Sequence, residues 1–483
     1  MTPAIEPSNP EPLDSANSVS AAHPAAQDHQ TNQDNHAHQA NQDHQTNQDN
    51  QDNQVGQLDQ QLASFQPFGV QLGLERMRGV LAALGNPQQQ VPIVHVAGTN
   101  GKGSVCAYLS SILTAAGYRT GRYTSPHLVD WTERITVDQV PIEPQVLAEL
   151  LHEGEQAIAQ TGISLTQFEL VTVAAWLYFA RQRVDLAVME VGLGGRLDAT
   201  NVVDGPIACA ITSIGRDHWQ VLGDSLGQIA GEKAGILKPG RPLVVAPLPS
   251  EARAVVADRA AQLACPIDWV EPAEPIAPPA ESWPHLPWVR SGNLTYPLPL
   301  AGTVQRTNAA VAIGLVQQLR SAGWAIANPA IQTGMANARW PGRLQWTTYQ
   351  GRSLLVDGAH NHDSAQVLRD YVDQQNLGPV TWVMGMLSTK DAAAVLRILL
   401  RSGDRLYTVP VPDPQSIAPE ALVHLAPEAI ALAEGRPFTD LLPALGVALA
   451  GDRPVVLCGS LYLLGQFFRI SAPTISPALS AKS

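Results

Sequence analysis

Val94-His95-Val96-Ala97-Gly98-Thr99-Asn100-Gly101-Lys102-Gly103-Ser104 is an apolar run that stops at a glycine-rich turn holding one lysine and one hydroxyl. Three glycines within six residues let the backbone bend so that successive N–H groups point at an anion. Val105 to Ala116 reads as a helix, so the turn sits at a helix N-terminus, where unsatisfied N–H groups and the dipole favour negative charge. In such a phosphate cradle Lys102 neutralises the β- and γ-phosphates and the Ser104 hydroxyl ligates Mg²⁺. The spacing departs from G-x-x-x-x-G-K-[ST], because Gly103 separates the lysine from the serine. Taken alone, the stretch also suits a strand-to-helix turn with a solvated lysine.

Outward from the cradle, short apolar runs alternate with longer helical patterns. Ile93–Ala97, Leu186–Val191, Ala208–Ile214 and Leu243–Ala246 read as strands of a parallel sheet with crossover helices. Proline is dense from Ala273 to Pro299, before a helix through Asn308 to Ala322. A second alternating block has strands near Ser353–Asp357, Val380–Met384, Leu406–Val409 and Val455–Cys458. The expected class is α/β: a P-loop-type parallel-sheet ATPase domain at 61–339, a smaller Rossmann-like α/β domain at 340–472, and a flexible end at 473–483. Clefts between such domains commonly hold ligands.

Residues 1–60 differ from the rest. They carry nine acidic residues, no Lys or Arg, five of the thirteen histidines, and an eight-residue unit, Asp28–Asn35, that recurs as Asp43–Asn50. Such a tract lacks the apolar content to offset chain entropy and reads as a disordered low-complexity tail. It accounts for −9 of the formal charge of −13, which leaves −4 on the remainder. No basic stripe suggests a nucleic-acid partner, no apolar run suggests a membrane span, and no secretory signal is evident. A cytoplasmic monomer acting on small molecules is the expectation. Cys106, Cys209, Cys265 and Cys458 lie far apart, against a disulfide framework or a zinc site.

Several separated motifs then carry a family resemblance. They are Leu72-Gly73-Leu74-Glu75-Arg76-Met77; the cradle Gly98–Ser104; Ser125-Pro126-His127-Leu128 with Glu133-Arg134-Ile135; Glu190 to Asn201; Thr212 to His218; Glu232 to Ile236; and Asp357-Gly358-Ala359-His360-Asn361. Together they resemble folylpolyglutamate synthase and dihydrofolate synthase, of the Mur ligase superfamily, whose cradle has the Lys-Gly-Ser spacing found here.

The resemblance implies an ATP-dependent ligation. A substrate carboxylate takes the γ-phosphoryl group of the co-substrate ATP, and the amine of L-glutamate attacks the acyl phosphate. It implies two Mg²⁺ ions, held by Ser104, Glu190, His218 and a carbamylated Lys233, and it marks Lys102, His218 and Lys233 as catalytic. A carbamate requires neutral amine, hence burial and a lowered pKa. The alternatives are a Glu190–Arg196 salt bridge, a structural His218 and an exposed Lys233; Asp217 is expected to orient the His218 ring. Nucleotide contacts carry over to Gly98, Thr99, Asn100, Gly101, Lys102, Gly103, Ser104, Asn308, Arg343, Asp357 and His360. Gly302-Thr303-Val304-Gln305 departs from the family's Gly-x-His-Gln before that asparagine, and Arg216 and Trp219 replace the usual Leu and Thr around Asp217-His218.

Ser125 and Phe168 are the expected contacts to a pterin or folate acceptor; Phe168 equally suits a core position at the start of a helix through Trp176. The folate reading stands beside two others, a Mur-type peptidoglycan-precursor ligase and a non-catalytic nucleotide-binding module.

Overall fold

The computed structural model describes residues 56–63, 65, 73–279, 283, 285–427 and 430–471. The tail up to residue 55, Leu72 and the end 473–483 lie outside the described residues. The tail boundary at 60 is corrected. Residues 57–63 are helical, with Leu58 and Leu62 buried in a hydrophobic cluster and Asp59 Oδ1 accepting from Trp131 Nε1 at 2.9 Å. The two leucines, four apart, form one apolar helical face that the surrounding polar composition masks.

The first sheet contains β1 (Ile93–Ala97), β2 (Thr120–Tyr123), β3 (Ile135–Val137), β4 (Val140–Pro141), β5 (Leu186–Glu190), β6 (Ala208–Ile211), β7 (Leu243–Val245) and β8 (Ile267–Trp269). Their order is β4-β3-β2-β5-β1-β6-β7-β8. β3 runs antiparallel to both β2 and β4, and the other pairings are parallel. β1 and β5 are buried throughout, as strands covered on both faces must be. On β1, Val94 and Val96 pack with Val105, Leu109 and Leu113 of the helix Lys102–Ala115. That helix begins at Lys102, earlier than expected.

The proline-dense stretch forms a small antiparallel sheet of β9 (Glu274–Ile276), β10 (Trp288–Ser291) and β11 (Leu294–Pro297). The helix Val304–Ser321 follows. The second large sheet has β12 (Gln345–Tyr349), β13 (Arg352–Val356), β14 (Thr381–Met384), β15 (Arg405–Thr408), β16 (Glu434–Pro437) and β17 (Val455–Cys458). Its order is β12-β13-β17-β14-β15-β16, with only β12 antiparallel. Each large sheet has its own hydrophobic clusters. All four cysteines are free and buried. Among the described residues, no helix is long and apolar enough to cross a membrane.

Candidate active site

The central strands of an open parallel sheet present ligands at their carboxyl ends, beside the point where strand order reverses. Here the turns after β1, β5 and β6 converge on one cleft. The helix Lys102–Ala115 starts at Gly101 with φ 86° and no side-chain cap, so its first-turn amides stay open to an anion. The glycines are required by their neighbours: a Cβ on Gly98 would lie 2.0 Å from Thr212 Oγ1, on Gly101 2.4 Å from Asn308 Oδ1, and on Gly103 2.3 Å from the Trp340 ring. Thr212 Oγ1 donates to Asn100 O at 2.7 Å, and Asn100 N donates to Ser213 Oγ at 2.9 Å. Sequence reasoning quoted Thr212 and Ser213 without giving them this bracing role, although their place after β6 was the available signal.

Lys102 Nζ folds back over the turn, 3.2 Å from both Gly98 O and Thr99 O. It lies 3.8 Å from Glu190 Oε1. Glu190, the last residue of β5, is buried, and Ser125 N donates to its other oxygen at only 3.4 Å. Burial pushes its pKa up to about 7, against the pull of Lys102. Arg196 pairs instead with Glu232, at 2.8 Å, so the alternative salt bridge to Glu190 is not formed.

Lys233 is buried rather than exposed and donates from Nζ to Gly98 O at 2.9 Å. Burial, and after it Lys102, lowers its pKa to about 7. A large fraction of the amine is therefore neutral at neutral pH. His218, at φ 50°, precedes the short helix Trp219–Leu222. Desolvation and then Lys390 hold its pKa down to about 4, although about half of the side chain is exposed. The neutral ring is the form that ligates metals.

The Asp217 expectation is corrected. His218 Nε2 lies 3.9 Å from Asp217 Oδ1, while nearer partners come from the second sheet's side of the cleft. Lys390 Nζ stands at 2.6 Å, Asn361 Nδ2 donates at 3.1 Å, and His360 Nε2 lies at 3.6 Å. Burial opposes ionisation of Asp217, but the His360 hydrogen bond and Lys390 outweigh it and hold its pKa well below the usual range. Lys390 escaped the sequence reading because no motif surrounds it.

The remaining nucleotide candidates face the same space. Asn308 Nδ2 donates to Gln305 Oε1 at 3.0 Å, and Gln305 Nε2 reaches Ser104 Oγ at 3.4 Å. The departure at Val304 thus leaves the glutamine in contact with the cradle. Gly358 leaves room for Arg343, whose Nη1 would meet a Cβ there at 2.4 Å. Asp357 accepts from Leu344 N and Ala359 N, both at 2.8 Å, and burial raises its pKa against those bonds. His360 Nδ1 lies 2.8 Å from Gly358 O.

The cleft encloses about 470 Å³ and is lined by the expected nucleotide and metal candidates, Gly98–Ser104, Glu190, His218, Lys233, Asn308, Arg343, Asp357 and His360, and by Ser125, but not by Phe168. A second cavity of about 460 Å³ adjoins it, sharing Ser125, Pro126, His218, His360 and Leu461 among its walls. Phe168 lines this second space, with Glu169, Asp198, Arg134 and Lys390. Phe168 is partly buried against the hydrophobic cluster and packs on Gly192, whose Cβ would sit 2.4 Å from the ring.

Among the described residues, no three His, Cys, Asp or Glu side chains converge to hold a metal ion. A cation here would need oxygens from a phosphate and water, as Mg²⁺ prefers. The poorly neutralised, buried Glu190 carboxylate fits that demand.

The Mur ligase middle domain family matches residues 96–316, and the dihydrofolate synthetase C-terminal domain family matches 343–470. The Escherichia coli dihydrofolate synthase/folylpolyglutamate synthase is 36% identical over 415 residues, 83% of this chain and 92% of that protein. A solved structure of E. coli FolC in complex with DHPP and ADP superposes with TM-score 0.75 at 32% identity, over 87% of this chain and 98% of the other. The bifunctional enzyme of Yersinia pestis, complexed with AMPPNP and Mn ion, superposes with TM-score 0.73 at 32% identity, over 85% and 96%.

Proposed function

The chain belongs to the dihydrofolate synthase/folylpolyglutamate synthase family, and from that premise we propose that its two joined cavities bring ATP, a folate-type carboxylate and L-glutamate together for amide ligation. The observation that carries the reading is the shared wall. Ser125, His218 and His360 line both cavities, so a carboxylate in the second faces a terminal phosphate in the first.

In the first step the substrate carboxylate oxygen attacks the γ-phosphorus, the bond to the β-phosphate oxygen breaks, and ADP leaves. The glutamate amine then attacks the acyl carbon, loses a proton, and expels inorganic phosphate as the C–O bond breaks. The protein's part is positioning and charge neutralisation. Cradle amides and Lys102 hold the phosphates, and Arg343 offers a planar fork to their oxygens. Asp357, fixed by two amides, faces the ribose, and Asn308 backs the cradle at Gly101.

Mg²⁺ ions, held by Ser104, Glu190, His218 and a carbamylated Lys233, supply charge neutralisation at the phosphates. The Mn ion and AMPPNP of the Y. pestis relative support a divalent ion and a nucleotide in this cleft. In the second cavity Phe168 provides a stacking face, while Arg134 and Lys390 suit carboxylates. We place the boundary between the two ligase domains near residue 340, where ATP bridges them and closure excludes water from the acyl phosphate.

The test is phosphate release from ATP and L-glutamate with dihydropteroate, with tetrahydrofolate, or with a UDP-muramoyl peptide. Stimulation by either pterin is expected, and which of them works decides between first addition and chain extension. Stimulation by the muramoyl peptide alone, or by none of the three, overturns the reading.

A further inference from the structure

His95 is a histidine in the middle of a fully buried strand, and no step above uses it. On β1, Val94 and Val96 face the helix Lys102–Ala115. His95, of opposite parity, points to the other face, where its Nε2 lies 2.8 Å from Thr200 Oγ1. His95 and Thr200 are 1% and 0% exposed. Thr200 Oγ1 in turn donates to Asp198 Oδ1.

The proton order follows from counting donors. Asp198 Oδ1 also accepts from Thr200 N at 3.0 Å, and Oδ2 accepts from Leu193 N at 2.8 Å. Burial raises the Asp198 pKa against these hydrogen bonds, but both of its oxygens already accept N–H groups, and the Thr200 hydroxyl points its proton at Oδ1. Thr200 must then accept from His95, which places the imidazole proton on Nε2. Burial, with Lys238 adding to it, lowers the His95 pKa to about 3 and keeps the ring neutral with a single N–H.

We propose that His95 and Thr200 are positioning residues: through Asp198 they hold the Gly192–Leu193 turn that separates the two cavities. Both turn residues line both spaces. The turn begins two residues after Glu190, and Phe168 rests on Gly192. His95 stands three residues before Gly98, so one chain of hydrogen bonds ties the strand that feeds the phosphate cradle to the wall of the acceptor cavity. A displaced turn misaligns carboxylate and phosphate while leaving the cradle's own contacts in place.

This inference rests on the ligase reading for its kinetic arm only. His95→Leu and Thr200→Val, the latter nearly isosteric, remove the donor and the relay. His95→Gln and Thr200→Ser keep a donor and a hydroxyl. We expect kcat to fall about 10- to 100-fold in the first pair with the ATP KM within about twofold of wild type, and to recover largely in the second pair. The double variant should be no worse than the worse single. Hydrogen exchange of the peptide spanning 190–201 should speed up in His95→Leu and Thr200→Val and not in the conservative pair, whatever the activity. Wild-type turnover and exchange in Thr200→Val, or a His95→Gln as impaired as His95→Leu, would overturn the relay. An inactive wild type with the expected exchange pattern would instead overturn the ligase reading and leave the relay standing.

Discussion

Lys390 Nζ lies 2.6 Å from Asp217 Oδ1 across 173 residues of sequence. Asn361 and His360 meet the same carboxylate, so three groups from the second sheet's side converge on one residue beside a candidate metal ligand. Both members of the pair are largely buried, and removing one partner strands the other's charge. Lys390→Met should lower kcat/KM for ATP by about 10- to 100-fold, an effect of order 1.4–2.7 kcal/mol. Steady-state kinetics at varied ATP reads this out; an unchanged kcat/KM contradicts the bridging role.

Glu190 gives a pH prediction. Its folded pKa, near 7, lies above the unfolded carboxyl value, so the folded state binds more protons between about 4.5 and 7. Its stabilising contribution is present below that window and is lost as pH rises through it. His95, His127 and His218, whose folded values are lowered, act in the opposite sense below pH 6.5. The signal is therefore the difference between wild type and Glu190→Gln in metal-free buffer. Wild type should lose stability relative to the variant from pH 4.5 to 7 in denaturant melts, and Mg²⁺ with ADP should restore it in wild type only. A flat difference rejects the account of this carboxylate.

Lys233, with a pKa near 7, offers neutral amine for reaction with dissolved CO₂. Protein equilibrated with ¹³C-bicarbonate at pH 8 should show one carbamate resonance that Lys233→Ala lacks, and the variant should lose most of its turnover. Full turnover in Lys233→Ala removes the carbamate from the site.

Gly101 sits at φ 86° against Asn308. Gly101→Ala combines left-handed strain, about 1–3 kcal/mol, with a clash that shifts the cradle. Titration calorimetry should show at least about tenfold weaker ADP binding, that is about 1.4 kcal/mol. Wild-type affinity would mean the cradle does not hold the phosphates.

The cradle and the strand alternation were legible because their causes are local. Glycines that must turn, and apolar runs buried on both faces, announce themselves within a dozen residues. Glu190 and Lys233 were legible through motifs at strand and helix ends. Lys390, and Trp340 as the reason for Gly103, were not, because each contact joins segments far apart in sequence without a repeated pattern. The edge strands β9 and β12 escaped for a related reason: short, half-exposed strands carry little apolar period. The buried helical turn at 57–63 was hidden by the polar tract around it.

The central claim is that a carboxylate in the second cavity accepts the γ-phosphoryl group held in the first. It is tested most directly by running the ligation with dihydropteroate labelled with ¹⁸O in its carboxylate and weighing the released phosphate. Transfer of one ¹⁸O atom to phosphate for each amide formed is the predicted result. Amide formation with unlabelled phosphate would contradict the acyl-phosphate route.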